Sequence, residues 1–254
     1  MNKIMYNKNL ICLKQNYCYF LKSFYSTIDI NKVSYNFWKN SQSNLEYMVG
    51  ILDINLEDLN HTISILDKYK SYIIKTNKKV KVLELGAGIG RVTNNCLVKY
   101  FNNIDLVEIN SDYCKVVEED LKKLNNLRFN VYNYSIEEFS DYILKYSKTN
   151  ITNVSKNLKY DLIYCQWVLE YVYEKHLKLI FEMFERLLTK EGVIIIKENI
   201  DNENYYIENQ GAFIRTRDIY DKLISKYNLK IIESNVVNIS DKEIIPIRYW
   251  VISN

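Results

Sequence analysis

The sequence has few of the residues that several common kinds of site require. Its 254 residues include two histidines, so we expect neither a Ser-His-Asp triad nor a structural zinc site, and no metal site is predicted. The five cysteines are an odd number without a Cys-x-x-Cys pair, which indicates reduced thiols in an intracellular protein. No apolar run approaches the roughly 18 residues of a membrane-spanning helix.

The charge of the chain gives no sign of a polyanionic partner. There are 34 Lys and Arg against 31 Asp and Glu, which leaves a net charge of +3, and the lysines form no basic stripe. We therefore predict neither a nucleic acid nor a membrane as a partner. The sequence contains no indication of an oligomeric state.

Acidic residues are absent from the first 28 residues, which contain Lys3, Lys8, Lys14 and Lys22. Such a segment fits the tail of a cytoplasmic or nuclear protein, and it also fits a transit peptide for a mitochondrion or another organelle. The absence of arginine and of an amphipathic face favours the tail. We thus separate a tail at 1–30 from a single domain at 31–254.

Within that domain the apolar pattern changes once. Residues 31–76 have helical spacing and are predicted to form an N-terminal helical lid, whereas residues 77–254 alternate apolar runs with helical patterns. The alternation predicts an α/β core with a mostly parallel sheet covered on both faces. A short turn joins the last two strands into a hairpin, which places one antiparallel strand in the sheet. The predicted strands lie at 80–85, 104–109, 128–134, 160–165, 192–198, 229–238 and 244–253, the helices at 91–101, 112–125, 137–146, 174–189 and 216–227, and a polar loop at 147–158.

Three of the six glycines lie within five residues, at Gly86, Gly88 and Gly90. Glycine is used where the backbone needs a positive φ or where a ligand lies against bare backbone. A strand precedes this cluster and a helix follows it. Together they predict a cradle for a nucleotide-like cofactor.

The spacing of the cradle departs from the dinucleotide pattern. That pattern has its third glycine three residues after the second, where this chain has Arg91. Arg91 offers a planar fork for a carboxylate, and Glu108, at the end of the second predicted strand, offers acceptors for ribose hydroxyls. Glu84 is placed for an ammonium group. S-adenosylmethionine has a ribose, a carboxylate and an ammonium group but no phosphate, so it is favoured over NAD. The alternative is a purely structural strand–turn–helix corner.

Three segments together resemble the protein α-N-terminal methyltransferase family: Gly86 to Thr93 (GAGIGRVT), Cys165 to Trp167 (CQW) and Lys197 to Asn199 (KEN). The resemblance extends from about Phe37 to the C-terminus. It implies a Rossmann-like class I methyltransferase with a seven-stranded, mostly parallel sheet, a C-terminal antiparallel hairpin and extra N-terminal helices. The implied cofactor is S-adenosyl-L-methionine, with S-adenosyl-L-homocysteine as the product.

The resemblance also implies which residues hold the cofactor. Gly86 and Gly88 lie against it, and Arg91 binds its carboxylate. Gln166, at the end of the fourth strand, contacts the methionine moiety. The residues implied at the ribose and the adenine are Glu108, Ile109, Asn110, Ile136 and Glu137.

The implied partner is the N-terminal peptide of a protein, with the family consensus X-Pro-Lys. Asn199 binds the terminal amine, Trp167 forms a wall of the pocket and Trp38 closes over the peptide. Glu198 adds negative potential for a basic peptide. The alternatives are a core aromatic residue for Trp167 and a turn residue for Asn199.

The catalytic candidates include departures from the family pattern. Tyr171 stands where many members have a histidine, and Gln210 stands about where members tend to have an aspartate. The alignment there requires a one-residue gap, so Glu208 competes with Gln210 for this position. Asn199 completes the catalytic candidates, and His176 is expected on a helix surface. In this interpretation Tyr171 hydrogen-bonds the amine and Glu208 takes its proton through water.

The predicted function is therefore methyl transfer from S-adenosylmethionine to the α-amine of X-Pro-Lys N termini. One rival is a small-molecule methyltransferase with the same cradle, against which the Gln-Trp and Lys-Glu-Asn segments argue. The other is a family member that binds the cofactor without catalysis, since two family bases are replaced.

Overall fold

The computed structural model describes residues 30–50, 52–74, 79–146, 158–240 and 244–254. The predicted tail lies outside these residues except for its last position, and the predicted loop at 147–158 lies outside them except for residue 158. Both remain predictions. Among the helices of the described residues, none has the length and apolar character needed to cross a membrane.

The described strands are confined to one large sheet and one small hairpin. In chain order they are β1 (Val82–Leu85), β2 (Asn103–Glu108), β3 (Arg128–Asn133), β4 (Tyr160–Gln166), β5 (Leu188–Asn199), β6 (Tyr205–Ile207), β7 (Ala212–Ile214), β8 (Lys230–Val236) and β9 (Ile247–Ser253). The large sheet has seven strands in the order β3-β2-β1-β4-β5-β9-β8. β1 to β5 are parallel, and β9 runs antiparallel to β5 and β8. The predicted class I sheet is confirmed.

Helices precede the sheet and connect its strands. They are α1 (Ile30–Lys39), α2 (Leu45–Val49), α3 (Asn55–Ile73), α4 (Arg91–Asn95), α5 (Ser111–Lys122), α6 (Ile136–Tyr146), α7 (Glu174–Leu187) and α8 (Arg217–Lys226). The predicted helical segment at 31–76 thus consists of α1, α2 and α3, with a short 3₁₀ turn at Leu52–Ile54. The helix predicted at 91–101 ends early, and a 3₁₀ turn at Leu97–Lys99 follows it.

Alternate residues of the buried strands supply two apolar layers, one on each face of the sheet. In β4, Leu162 and Tyr164 pack in the layer that contains Leu66 of α3. Ile163 points the other way and packs with Phe181 of α7. Burial of one such side chain stabilises the folded state by about 1.5–3 kcal/mol. Both faces need apolar residues, which explains why the central strands appear in the sequence as nearly continuous apolar runs.

The parallel strands end at one edge of the sheet. Leu85 pairs in register with Val107 of β2 and Cys165 of β4, and Gln166 of β4 pairs with Lys197 of β5. Residues at the ends of these strands therefore lie side by side. This register brings together the glycine turn, Glu108, Gln166 and Asn199.

The hairpin of β6 and β7 was not predicted, because each strand has only three residues and no room for a recognisable alternation. Gly211, at its turn, has a φ of +72°, and a Cβ there would lie 2.5 Å from the backbone nitrogen of Ser34. The turn therefore packs closely against α1.

Candidate active site

The glycine turn has the backbone that its composition predicts. Gly86, Gly88 and Gly90 have φ values of +67°, +58° and +81°. A Cβ on Gly86 would lie 2.0 Å from Cγ2 of Val168, so no side chain fits there. The backbone nitrogen of Gly86 donates to the carbonyl of Val107 at 2.8 Å, which fixes the turn to β2.

Glu108 joins the turn to the next helix. Its Oε2 accepts from the backbone nitrogen of Gly88 at 2.8 Å, and its Oε1 accepts from that of Asn110 at 2.8 Å. Burial raises the pKa of Glu108, and these backbone donors oppose the rise. A carboxylate has about four acceptor positions. Glu108, which borders the central cavity, can therefore also accept two hydroxyl protons.

Asn110 caps α5 and does not border the cavity. Its Oδ1 accepts from the backbone nitrogen of Asp112 at 2.9 Å. Its Nδ2 donates to the carbonyls of Trp38 at 2.9 Å and Ser41 at 3.1 Å. Asn110 thus ties the end of α1 to the cradle. Gly88 also lies behind the cavity wall, where a Cβ would lie 2.0 Å from the methyl carbon of Met48.

Arg91 borders the cavity from the start of α4 and is only 7% exposed. Its Nη1 lies 2.8 Å from Oδ2 of Asp58 in α3 and donates to Asn55 at 3.2 Å. Its guanidinium carbon is 4.9 Å from the centre of the Trp167 ring. The Asp58 carboxylate and the Trp167 ring therefore hold the guanidinium from two sides.

Asp58 is the centre of a buried polar cluster that sequence reasoning missed. It accepts from Nζ of Lys197 at 2.6 Å and from Nε2 of Gln166 at 2.9 Å, and its side chain is completely buried. Burial alone raises its pKa, but Lys197 and Arg91 outweigh burial and lower the pKa of Asp58 to about 2. Its helical segment carried no motif, so the sequence gave no signal of this role.

The start of α6 also borders the cavity, through Ile136 and Glu137, and Ile109 borders it as well. Ser135 and Glu138 cap this helix reciprocally. The backbone nitrogen of Glu138 donates to the Ser135 hydroxyl at 3.1 Å, and that of Ser135 donates to the Glu138 carboxylate at 2.8 Å.

The far end of the cavity is aromatic. Trp38, Trp167 and Tyr171 all border it, and the rings of Trp38 and Tyr171 meet edge to face at 5.0 Å. Trp167 has a φ of +54°, a region that non-glycine residues seldom adopt and that is common at functional sites. The indole nitrogens of both tryptophans are buried and have no hydrogen-bond partner among the described residues.

Asn199 also borders the far end, at the last position of β5. Its Nδ2 donates to Oε2 of Glu170 at 2.9 Å. Glu170 lies in a 3₁₀ turn at Leu169–Tyr171 and is completely buried. Sequence reasoning missed Glu170, which follows the Gln-Trp segment and belongs to no motif of its own.

The structure does not bring every candidate to the cavity. Glu198 is buried under the turn that follows β4, where its Oε1 accepts from the backbone nitrogens of Val168 at 3.0 Å and Leu169 at 2.8 Å. Glu208 is exposed at the β6–β7 turn, and Gln210 is buried beside it. None of these three side chains borders the cavity.

His176 was expected on a helix surface, but the structure places it at the cavity. It is half-buried and borders the cavity from the first turn of α7. Burial lowers the pKa of His176. No group of three or more His, Cys, Asp or Glu side chains within the described ranges has the arrangement of a metal site.

The sequence profile of the AdoMet-dependent proline di-methyltransferase family matches residues 26–253. The chain belongs to this family. N-terminal Xaa-Pro-Lys N-methyltransferase 1-B of Xenopus laevis is 24% identical over 199 residues, which are 78% of this chain and 83% of that protein. The Bos taurus N-terminal Xaa-Pro-Lys N-methyltransferase 1 is 22% identical over 198 residues, 77% of this chain and 82% of that one.

Solved structures agree on the fold of this proline di-methyltransferase family member. A SAM-dependent methyltransferase from Leishmania major has a TM-score of 0.72 at 18% identity, over 88% of this chain and 83% of that one. Magnesium protoporphyrin IX methyltransferase from Synechocystis, with bound SAM, has a TM-score of 0.58 at 10% identity, over 90% of this chain and 99% of that one. The chain is an S-adenosylmethionine-dependent methyltransferase, and the predicted family, fold and cofactor are confirmed.

The residues that border the cavity fit this cofactor chemically. The cation of Arg91 matches a carboxylate, the spare acceptor positions of Glu108 match ribose hydroxyls, and Ile109 and Ile136 offer apolar contact to a planar base. Gly86, which also borders the cavity, presents bare backbone there.

Proposed function

We propose that this methyltransferase transfers a methyl group from S-adenosylmethionine to the α-amine of protein N termini, with Xaa-Pro-Lys ends as the preferred substrates. The names of the Xenopus and bovine relatives support this substrate class. The observation that carries the proposal is the orientation of Asn199 at the aromatic end of the cavity.

That orientation follows from the chemistry of its neighbour. An ionised carboxylate only accepts hydrogen bonds, so the Asn199 amide presents its nitrogen to Glu170, at 2.9 Å. The carbonyl oxygen of Asn199 is then left to accept from a hydrogen-bond donor in the cavity. A terminal amine is such a donor, as is a hydroxyl group, whereas a carboxylate is not.

The cofactor supplies an electrophilic methyl group when bound. The residues that we propose to hold it are Arg91 at the carboxylate, Glu108 at the ribose, and Ile136 and Glu137 at the adenine, with Gln166 at the methionine moiety. Trp38, Trp167 and Tyr171 would then enclose the peptide end. Positioning of the amine nitrogen opposite the methyl group is the main work left to these residues.

The test is incubation of the full chain with labelled S-adenosylmethionine and a short peptide beginning Ser-Pro-Lys. We expect label on the peptide, with mass spectrometry locating one or more methyl groups at the terminal nitrogen. The same peptide with an acetylated N-terminus is the matched control and should remain unlabelled. Label on both peptides would indicate a side-chain methyltransferase instead.

The alternative of a non-catalytic member is kept because Tyr171 stands where the resemblance implies a histidine. Cofactor binding by calorimetry without label transfer to any X-Pro-Lys peptide would favour it. A cytoplasmic or nuclear location stays a prediction, which imaging of the full chain fused at its C-terminus would test.

A further inference from the structure

The buried ion pair of Asp58 and Lys197 lies one residue behind the cavity wall. Neither side chain borders the cavity, but Asp58 contacts two residues that do, Arg91 and Gln166. Nζ of Lys197 donates to Oδ1 of Asp58 at 2.6 Å, to the carbonyl of Asp58 at 3.3 Å and to the hydroxyl of Thr62 at 2.8 Å. An ammonium group has three N–H donors. All three are therefore used within the protein, and Lys197 has none left for a ligand.

Gln166 is held at both ends of its amide. Its Oε1 accepts from the hydroxyl of Tyr164 at 2.6 Å, and its Nε2 donates to Oδ2 of Asp58 at 2.9 Å. The ionised carboxylate of Asp58 only accepts, so the amide nitrogen faces it. An amide nitrogen has two hydrogens, and one of them is left. Gln166 therefore offers the cavity an N–H donor.

Arg91 is held along one edge of its guanidinium. Its Nη1 lies 2.8 Å from Oδ2 of Asp58 and donates to Oδ1 of Asn55 at 3.2 Å. These two contacts use both hydrogens of Nη1 and leave the three on Nε and Nη2. Two parallel N–H groups of this kind bind a carboxylate in a bidentate way. Arg91, like Gln166, is thus left with donors alone.

The charges around Arg91 do not cancel. Asp58 lies between two cations, since its Oδ2 faces Arg91 and its Oδ1 faces Lys197. Glu84 of β1 also interacts electrostatically with Arg91, but burial raises the pKa of Glu84 to about 7, so much of this carboxyl is protonated at neutral pH. Positive charge is therefore left over in a buried site, where it is costly until an anion compensates it. The carboxylate of S-adenosylmethionine is such an anion.

We propose that Asp58 and Lys197 are positioning residues for the cofactor carboxylate, which they hold in place through other side chains. Asp58 orients the donors of Arg91 and Gln166 toward the carboxylate. Lys197 balances the charge of Asp58, so the charge of Arg91 remains for the cofactor. Asp58 without Lys197 would orient Arg91 and cancel its charge at the same time. The proposal rests on the proposed role of Arg91, and it is independent of the methyl acceptor.

The test is calorimetry with S-adenosylmethionine and with its decarboxylated form, two ligands that differ only in the carboxylate. Lys197→Met keeps the unbranched stem and removes the cation, so Asp58 is then balanced by Arg91. We expect the preference for S-adenosylmethionine to fall about 10- to 10²-fold, the range for a hydrogen bond with a charged group. Affinity for the decarboxylated form should change little. Lys190→Met, at an exposed position of the same strand, is the matched control and should keep the wild-type preference.

Two double variants keep the test valid if the single variant does not fold, because they leave no unbalanced charge at these two positions. Each combines Lys197→Met with a change at Asp58. Asp58→Asn retains an acceptor for Arg91 and Gln166, and this double variant should recover most of the preference for S-adenosylmethionine. Asp58→Ala removes the acceptor, and its double variant should not recover it.

Two results would overturn the proposal. One is an equal loss of both ligands, or no loss of either, in Lys197→Met. The other is the same preference in the two double variants. A wild type that binds both ligands equally would overturn the role of Arg91 and this proposal with it. The transfer of label to a Ser-Pro-Lys peptide tests the proposed function separately.

Discussion

Nη1 of Arg91 lies 2.8 Å from Oδ2 of Asp58, and both side chains are buried. The residue proposed to hold the cofactor carboxylate is therefore paired with a helix of the N-terminal segment. The same Asp58 accepts from the completely buried Nζ of Lys197 at 2.6 Å. Two buried cations thus depend on one carboxylate, which joins α3 to the ends of β4 and β5. Asp58 of α3 therefore helps to orient the residue that we propose to hold the cofactor carboxylate.

Asp58→Asn should destabilise the fold strongly. Removal of one partner from a buried ion pair costs about 3–5 kcal/mol, because the remaining charge stays buried without compensation. We expect urea unfolding to give a loss of this order. Asp67→Asn is the matched control on the same helix, since Asp67 is exposed and pairs with Lys70 at the surface. Equal, small losses in the two variants would contradict the importance of the cluster.

The ion pair of Asp58 and Arg91 also predicts that the fold loses stability in acid. The pKa of Asp58 is lowered to about 2 in the folded chain, from about 3.9 in an unfolded one. The contribution of Asp58 to the free energy of unfolding is therefore fully present at pH values above its pKa in the unfolded chain. It is lost as the pH falls toward about 2. In the wild type, the free energy of unfolding measured with urea should fall as the pH is lowered from about 3.9 to about 2. Asp58→Asn should lack the part of this fall that Asp58 contributes.

Glu84 predicts a slope of the opposite sign. It is 3% exposed and accepts a hydrogen bond from Thr93, and burial raises its pKa to about 7. The unfolded chain ionises near its ordinary value of about 4.3, so the free energy of unfolding should fall by about 3 kcal/mol between that pH and 7. Glu84→Gln should lack this fall, whereas the exposed Glu119→Gln should retain it. Urea midpoints at both ends of this range measure the difference.

Gly86→Ala should abolish cofactor binding. A φ of +67° costs an alanine about 1–2 kcal/mol, and the new Cβ would lie 2.0 Å from Val168. Calorimetry with S-adenosylhomocysteine measures the loss. Gly86→Ala with Val168→Ala opens the space but leaves the backbone strain, so it should restore only part of the affinity. Full affinity in the single variant would show that the turn has more room than its geometry indicates.

The sheet could be predicted because its signal is local. Each central strand is apolar on both faces, and the alternation with helices repeats along most of the chain. The placement of Glu108, Gln166 and Asn199 at the ends of neighbouring strands was also predictable, whereas the roles of Gln166 and Asn199 came from the family resemblance and stay predictions. Gly86 was recognisable from the glycine cluster alone.

Asp58 and Glu170 could not be found in this way. Each acts through contacts with residues that are distant in the sequence, Lys197 for Asp58 and Asn199 for Glu170, and neither lies in a spaced motif. Glu208 was nominated by alignment across a gap, and the hairpin turns its side chain to solvent. Positions in short irregular segments depend on packing that the pattern of apolar residues does not encode.

Asn199→Ala should reduce methyl transfer while cofactor binding is kept. The variant removes the carbonyl proposed to accept from the substrate amine, and a hydrogen bond to a charged group contributes about 1.5–3 kcal/mol, which corresponds to about 10- to 10²-fold in kcat/KM. Asn209→Ala, an exposed asparagine at the β6–β7 turn, is the matched control. Unchanged turnover by Asn199→Ala on the Ser-Pro-Lys peptide would remove Asn199 from the site, whereas a joint loss of S-adenosylhomocysteine binding would indicate a structural role.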